Sequence, residues 1–204
     1  LEDEEQSSMV EDNIDNAFTA EWTDEQYVIG ASYSGGAYMA DMVGNLTQIA
    51  ELQEEQLFTV HKTQGKIYYI TTDSPPYQVY MLDPMTKEKK NLQLKNVEGI
   101  TLSPDGKQLL VNQVIGAMKR LIMADAGGNI KSTIAEGSDV TGVSWSPNQQ
   151  MIAYQLESVI DGGKNSDLYL YDVSTEKNMQ IAQNVGHAKV KWSPSGKNIA
   201  VTEL

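Results

Sequence analysis

The chain contains no cysteine, only two histidines, and no Lys or Arg before residue 62. The first absence excludes disulfides, thiolate metal sites and a cysteine nucleophile. It fits an extracytoplasmic protein that avoids stray oxidation. No apolar run approaches the roughly 18 residues that a membrane-crossing helix needs. The missing basic residues make the charge lopsided. Residues 1–61 hold 14 Asp/Glu, and the rest of the chain holds 14 Asp/Glu against 15 Lys/Arg, a balance of +1, so the whole net charge of −13 arises before Lys62. That field opposes nucleic-acid phosphates and anionic lipid, and no basic patch interleaved with aromatics offsets it. The run from Glu2 to Asp15 reads as a solvated acidic leader over 1–16, or as an electrostatic handle for a basic partner. The opening Leu1-Glu2-Asp3-Glu4-Glu5, without Met or a basic n-region, looks like a mature chain whose signal has been removed.

Hydrophobic residues make up 40% of the sequence, enough for a packed core. They fall in short runs, and the runs repeat. Leu102-Ser103-Pro104-Asp105-Gly106-Lys107, Trp145-Ser146-Pro147-Asn148-Gln149-Gln150 and Trp192-Ser193-Pro194-Ser195-Gly196-Lys197 each separate two apolar stretches. The chemistry is that of a tight hairpin. Proline presets the backbone for a turn, and Asp, Asn or Gly accepts the return. Weaker copies stand at His61-Lys62-Thr63-Gln64-Gly65-Lys66 and Trp22-Thr23-Asp24-Glu25-Gln26. A second landmark recurs independently: Asp41, Asp83, Asp125 and Asp172 each end an alternating stretch and open a turn. An aspartate there can accept a bond from its own backbone two residues on.

Two landmarks with a common period near 40 residues, and four short strands per period (a to d), predict an all-β fold, a β-propeller of four-stranded antiparallel blades. The blades are expected at about 17–53, 56–94, 97–135 and 139–183, with a partial fifth from 187 to 204. The longer interval before the last repeat is assigned to a loop from Glu157 to Asp167. Chain beyond Leu204, strands from a second chain, or the leader pairing with its strand b would each complete the partial fifth blade, and the leader is the expected one.

The pattern of strand, Trp-Ser-Pro turn, strand, Leu-Tyr-Leu-Tyr-Asp and strand resembles the TolB-type propeller repeat. Trp145-Ser146-Pro147, Trp192-Ser193-Pro194 and Asp167-Leu168-Tyr169-Leu170-Tyr171-Asp172 carry the resemblance most closely. It covers about residues 17–204 and is characteristic of a repeat class, not of one function. Periplasmic TolB looks like a propeller preceded by an α/β domain, and nothing of that size precedes residue 17. A Tol–Pal role is therefore not implied. Similar propellers act as gates in prolyl-oligopeptidase-type enzymes, whose hydrolase domain has no counterpart here. What the resemblance implies is an extracytoplasmic propeller, secreted, periplasmic or lipid-anchored.

Residues for catalysis do not assemble in the repeat map. Gly30-Ala31-Ser32-Tyr33-Ser34 lacks the last glycine of a nucleophile elbow and reads as a strand entering a hairpin. His61 stands at the position of Leu102, Trp145 and Trp192, which is a packing position, and these tryptophans read as core between blades. Asp161-Gly162-Gly163-Lys164-Asn165-Ser166-Asp167 lacks the spacing of a calcium loop. The expectation is no enzyme activity, no cofactor and no metal. In a propeller the d–a and b–c loops share one face, the usual docking face. Here it would carry Tyr33, Asp73, Tyr77, Glu98, Asp139, Asp161 and His187, a mixed polar and aromatic set suited to a protein or peptide partner. The alternatives are a ligand or glycan sensor using the face or channel, and the regulatory propeller of a larger hydrolase.

Overall fold

The computed structural model describes residues 17–23, 27–32, 36–49, 58–60, 64–71, 75–160, 163–186 and 188–203. They form strands throughout. The first sheet contains β1 (Ala17–Thr23), β2 (Tyr27–Ser32), β3 (Gly36–Asp41) and β4 (Leu46–Ile49). The second contains β5 (Phe58–Val60), β6 (Ile67–Ile70), β7 (Gln78–Leu82) and β8 (Lys89–Lys95). Then come β9 (Val97–Leu102), β10 (Gln108–Ile115), β11 (Met118–Asp125) and β12 (Ile130–Gly137), followed by β13 (Asp139–Trp145), β14 (Met151–Ile160), β15 (Gly163–Asp172) and β16 (Lys177–Ala182). A pair, β17 (Ala188–Trp192) and β18 (Ile199–Glu203), ends the series. Each of the first four sheets pairs its strands in chain order, and every pairing is antiparallel. Among the described residues no helix is long and apolar enough to cross a membrane.

The chain divides into two compact units, Leu1–Lys95 and Asn96–Leu204. In the first, Ile29, Met39 and Ile49 pack with Ile67, Tyr69 and Leu82, so one face of each sheet buries the other. All four residues of β6 are buried, as a strand covered on both faces requires. In the second unit, Leu110, Leu121, Met123, Ile134 and Ala135 meet Val140, Trp145, Ile152, Tyr154 and Tyr171. Trp145 thus lies in the core between two sheets, as its repeat position predicts. Leu168 and Val185, with Val190 and Ile199 against them, extend the core to β17 and β18.

The long interval in the last repeat is built differently from the expected loop. β14 and β15 stay in register from Met151↔Asp172 to Ile160↔Gly163. Glu157 to Asp167 is therefore mostly extended hairpin, because each residue added to one strand finds a partner on the other and the backbone groups stay paired. Closure by the leader falls on residues 1–16, outside the described residues.

The turns between strands a and b of the last three repeats share one mechanism. The Ser103 hydroxyl accepts from the Gln108 amide at 3.0 Å and donates to Asp105 Oδ1 at 2.7 Å. The Ser146 hydroxyl repeats this with Met151 at 2.9 Å and Asn148 at 2.8 Å. The fourth turn residue needs the left-handed conformation: Gly106 has φ 71°, Gly196 has φ 69°, and Gln149 holds the same position at φ 61°. Gln149 pays the usual cost of a side chain in that region. With its amide nitrogen turned toward Asp105, it donates to both carboxylate oxygens, at 3.0 and 3.2 Å. Asn148 reaches Ser195 O at 3.3 Å, linking the next pair of turns.

Gly106→Val is expected to lower stability by about 1 kcal/mol or more. In an Asp105→Ala background, where Gln149 has lost its acceptor, Gln149→Gly is expected to raise stability by about 0.5–1 kcal/mol. Urea denaturation of the four proteins checks both signs.

The turns between strands c and d rest on the aspartates. Oδ1 of Asp41, Asp83, Asp125 and Asp172 accepts from the amide two residues on, at 3.0, 3.0, 3.0 and 2.8 Å. Asn129 also bonds Asp125 through its side chain and backbone, and with Lys131 nearby holds that carboxyl far below the ordinary 3.8. Asn45 lowers the Asp41 carboxyl, and Ser174 that of Asp172, below the ordinary value. Because the folded values are depressed, this stabilisation is present above the ordinary carboxylate range. It is lost as pH falls through the lower folded values. Asp125→Ala should therefore cost stability at about pH 7, and the difference from the parent should shrink toward about pH 2. Denaturant midpoints across that range measure it.

Candidate functional site

In the second unit the two ends of the sheets differ. One end is closed by the short Ser-Pro turns. At the other, β10 and β11 continue to Ile115↔Met118, whereas β9 last pairs with β10 at Val97↔Gln113 and β12 last pairs with β11 at Gly137↔Lys119. The tip Ile115–Met118 therefore runs beyond both flanking strands. Its turn is Gly116-Ala117, with Gly116 at φ 61°. β14 and β15 likewise continue past Asp139↔Glu157, the last pair with β13.

At the base of the β10–β11 tip lies an ion-pair cluster. Lys119 Nζ is 2.7 Å from Glu98 Oε1 and 3.0 Å from Asp139 Oδ1, with the three side chains 29, 32 and 32% exposed. The bond to Glu98, then that to Asp139, raises the lysine above its ordinary 10.5 against the opposing effect of partial burial. Two carboxylates on one ammonium leave a charge of −1. Glu157 is the next residue in the arrangement: its backbone oxygen and Oε1 accept from Ser138 Oγ at 2.9 and 3.3 Å, and it stands opposite Asp139 in the ladder.

The backbone here is closely fitted. A Cβ on Gly137 would lie 2.5 Å from Leu156 Cδ1 and 2.7 Å from Glu157 O, so only glycine lets the end of β12 approach β14. Asn112 Nδ2 donates to Val140 O at 3.0 Å, and the Val140 amide donates to Asp139 Oδ1 at 2.8 Å. Asp139 is thereby oriented toward Lys119 by its own strand. Arg120, one residue on, donates from Nη2 to Gln113 Oε1 at 2.9 Å and lies 3.8 Å from Glu136.

The expected docking residues fare unequally. Glu98 and Asp139, chosen from separate repeats, converge on Lys119. They stand within β9 and at the start of β13 rather than in open loops. Tyr77 is exposed beside β7 in the first unit. Tyr33, Asp73, Asp161 and His187 lie outside the described residues, as does His61. Lys119 and the apolar tip residues Val114, Ile115 and Met118 escaped the sequence reading. Their signal is the placement of large apolar residues on both sides of Gly116-Ala117, where a solvated hairpin tip would carry polar ones. Ser32 ends β2 and pairs with Gly36 at the start of β3.

Comparison with known structures settles the fold. TolB from Acinetobacter baumannii superposes with a TM-score of 0.58 at 17% identity, over 86% of this chain and 46% of that one. A structure assigned as TolB from Agrobacterium tumefaciens gives 0.63 at 14% identity, over 90% and 68%. Acylaminoacyl peptidase from Pyrococcus horikoshii gives 0.64 at 13% identity, over 91% and 35%. The chain has a TolB-like β-propeller fold. It spans about half the length of the Acinetobacter protein. No protein-family model and no curated relative matches the sequence.

Lys119→Met is expected to lower stability by about 1 kcal/mol at low salt, because Glu98 and Asp139 then repel across the vacated position, and by less at high salt. The lysine's raised value places its contribution below about pH 10.5, so parent and variant should converge above it. Chemical denaturation at two ionic strengths, and again at alkaline pH, checks both.

Proposed function

We propose that this chain is a non-catalytic protein-interaction scaffold working outside the cytoplasm. In this reading the sheets are successive blades of a TolB-like propeller, four complete and a fifth represented by strands a and b. The observation that carries the reading is the asymmetry of the second unit. One end is closed by tight turns satisfied by their own side chains. The other sends hairpins past the flanking strands, with exposed apolar side chains above a polar cluster. A rigid sheet holding such hairpins is suited to recognition, and an apolar centre with a polar rim is the usual anatomy of a protein interface.

The cysteine-free composition and the likeness to TolB support an extracytoplasmic location. No cofactor or metal is needed for this role. A second reading, a regulatory propeller belonging to a hydrolase, is favoured by the likeness to the Pyrococcus peptidase, only 35% of which this chain covers.

The scaffold reading is tested by placing a photo-crosslinking residue at Met118 or, as the control, at Pro104 in a Ser-Pro turn. Cell-envelope proteins of the source organism should be captured from Met118 and not from Pro104. Equal capture from both positions would count against it. Fluorogenic peptide and ester substrates should remain unhydrolysed by the pure chain. Turnover that disappears with Ser32→Ala would replace the scaffold reading with an enzymatic one.

A further inference from the structure

Two turns of this protein are built alike and carry different side chains. Asp41-Met42-Val43-Gly44-Asn45 joins β3 to β4, and Asp125-Ala126-Gly127-Gly128-Asn129 joins β11 to β12. In each, the aspartate Oδ1 accepts from the amides two and four residues on, at 3.0 and 2.9 Å. In each, the asparagine Nδ2 donates to Oδ2, at 2.8 Å in the first turn and 2.9 Å in the second. The glycine before the asparagine has φ 90° in one and 94° in the other. The second turn shows that this geometry needs nothing larger than Ala126 and Gly127 at its two central positions. The first has Met42 and Val43 there, 67 and 78% exposed. Leu46 beside them is exposed too, but so is its counterpart Ile130, so the difference between the turns lies in Met42 and Val43. Turn chemistry does not require them, and adjacent large apolar side chains held in water mark a contact surface.

The same comparison indicates what the contact brings. In the second turn Asp125 Oδ2 also takes an ammonium, Lys131 Nζ at 3.1 Å. A bulge in β12, between its pairings with Met123 and Ala124, presents that lysine. β4 pairs with β3 without a bulge, and Thr47 follows Asp41 at the interval at which Lys131 follows Asp125. No Lys or Arg precedes residue 62, and among the described residues no cation pairs with Asp41. Its carboxylate is therefore hydrogen-bonded by the turn but not neutralised. Oδ2 holds one donor where Asp125 Oδ2 holds two. An incoming ammonium or guanidinium meets attraction there, and an anionic surface meets repulsion. The apolar and charged groups belong to one turn: Met42 follows Asp41 directly, and the Val43 amide bonds its carboxylate.

We propose that the β3–β4 turn is a second docking point, for a polypeptide segment that carries Lys or Arg beside a large apolar side chain. The cation takes at Asp41 the place that Lys131 fills at Asp125, and the apolar side chain packs on Met42 and Val43. This goes beyond the scaffold reading, which rests on the β10–β11 tip.

The test is a displayed random-peptide library selected on the intact immobilised chain. Counter-selection uses Met42→Ala/Val43→Gly, the side chains that the β11–β12 turn carries. The recovered peptides are synthesised, and fluorescence anisotropy measures their binding to the parent, the double variant, Asp41→Asn and Thr47→Lys. The asparagine keeps an oxygen acceptor for the turn and removes the charge. The lysine adds a competing cation at the Lys131 interval. Melting curves establish that the variants are folded. The peptides should carry Lys or Arg next to a large apolar residue. They should bind about tenfold more weakly to Asp41→Asn and to Thr47→Lys, and more weakly to the parent as salt rises. A selection that returns no turn-dependent peptide would overturn the inference. Peptides without a cation, or binding unchanged in Asp41→Asn and Thr47→Lys, would do the same. So would turn-dependent binding to vesicles of phosphatidylcholine and phosphatidylglycerol, or a dimer of the parent that the double variant loses, because a lipid surface or a second copy would then be the occupant. None of these variants touches the β10–β11 tip, so capture through Met118 tests the scaffold reading separately.

Discussion

A four-stranded sheet of short strands cannot bury its middle strands by itself, and this constraint governs the molecule. Ile67, Tyr68, Tyr69 and Ile70 are buried on both faces of β6, and Leu109, Leu110 and Val111 on both faces of β10. Each sheet therefore needs a neighbour, and in each unit the neighbour is the adjoining repeat. Tyr69 and Leu82 cover Ile29 and Met39 in the first unit. Trp145 and Tyr154 cover Leu110 and Leu121 in the second. Repetition is the chemical answer: a repeat that presents one apolar face and accepts another can be stacked without inventing a new interface each time.

Stacking leaves the strand ends free, and the ends have been used in two ways. The Ser-Pro turns keep their hydrogen bonds to themselves and to each other, through Gln149 with Asp105 and Asn148 with Ser195. They act as a seam, and their polar groups are committed. Among the described residues, the hairpin end at Ile115–Met118 has no such commitment. Its backbone is paired across the ribbon, and the apolar side chains at its tip are exposed. The Lys119 cluster ties the hairpin base to the starts of β9 and β13, so the projecting tip has a fixed support. That combination of rigid base and unsatisfied tip underlies the functional reading.

Much of this was legible in the residues. A serine whose hydroxyl bonds a main-chain amide, or an aspartate that caps its own turn, acts over two to five positions, and its consequences can be read locally. Ser103, Ser146 and the aspartates at 41, 83, 125 and 172 behave as their neighbours dictate. So does the positive φ at Gly106 and Gly196. The residues of the ion-pair cluster were only half legible. Glu98 and Asp139 could be placed near strand starts from the period, but Lys119 lies in another strand. Its approach to both acids depends on the β9–β12 and β13–β16 sheets being side by side. The length of the β14–β15 ribbon differs from the expected loop for a related reason: a glycine and polar residues from Gly163 to Ser166 look like a loop, and only pairing across the ribbon makes them strand.

The sequence by itself determined the strand order within each repeat, the turn chemistry and the alternation that selects one buried face, because these follow from covalent geometry and near neighbours. Tertiary structure alone decided which charges meet and which apolar side chains stay in solvent. Lys119 is 20 to 21 positions from its two carboxylate partners, and no local preference links them. Val114, Ile115 and Met118 have the composition of core residues. They are surface residues because their ribbon extends beyond the strands that would have covered them.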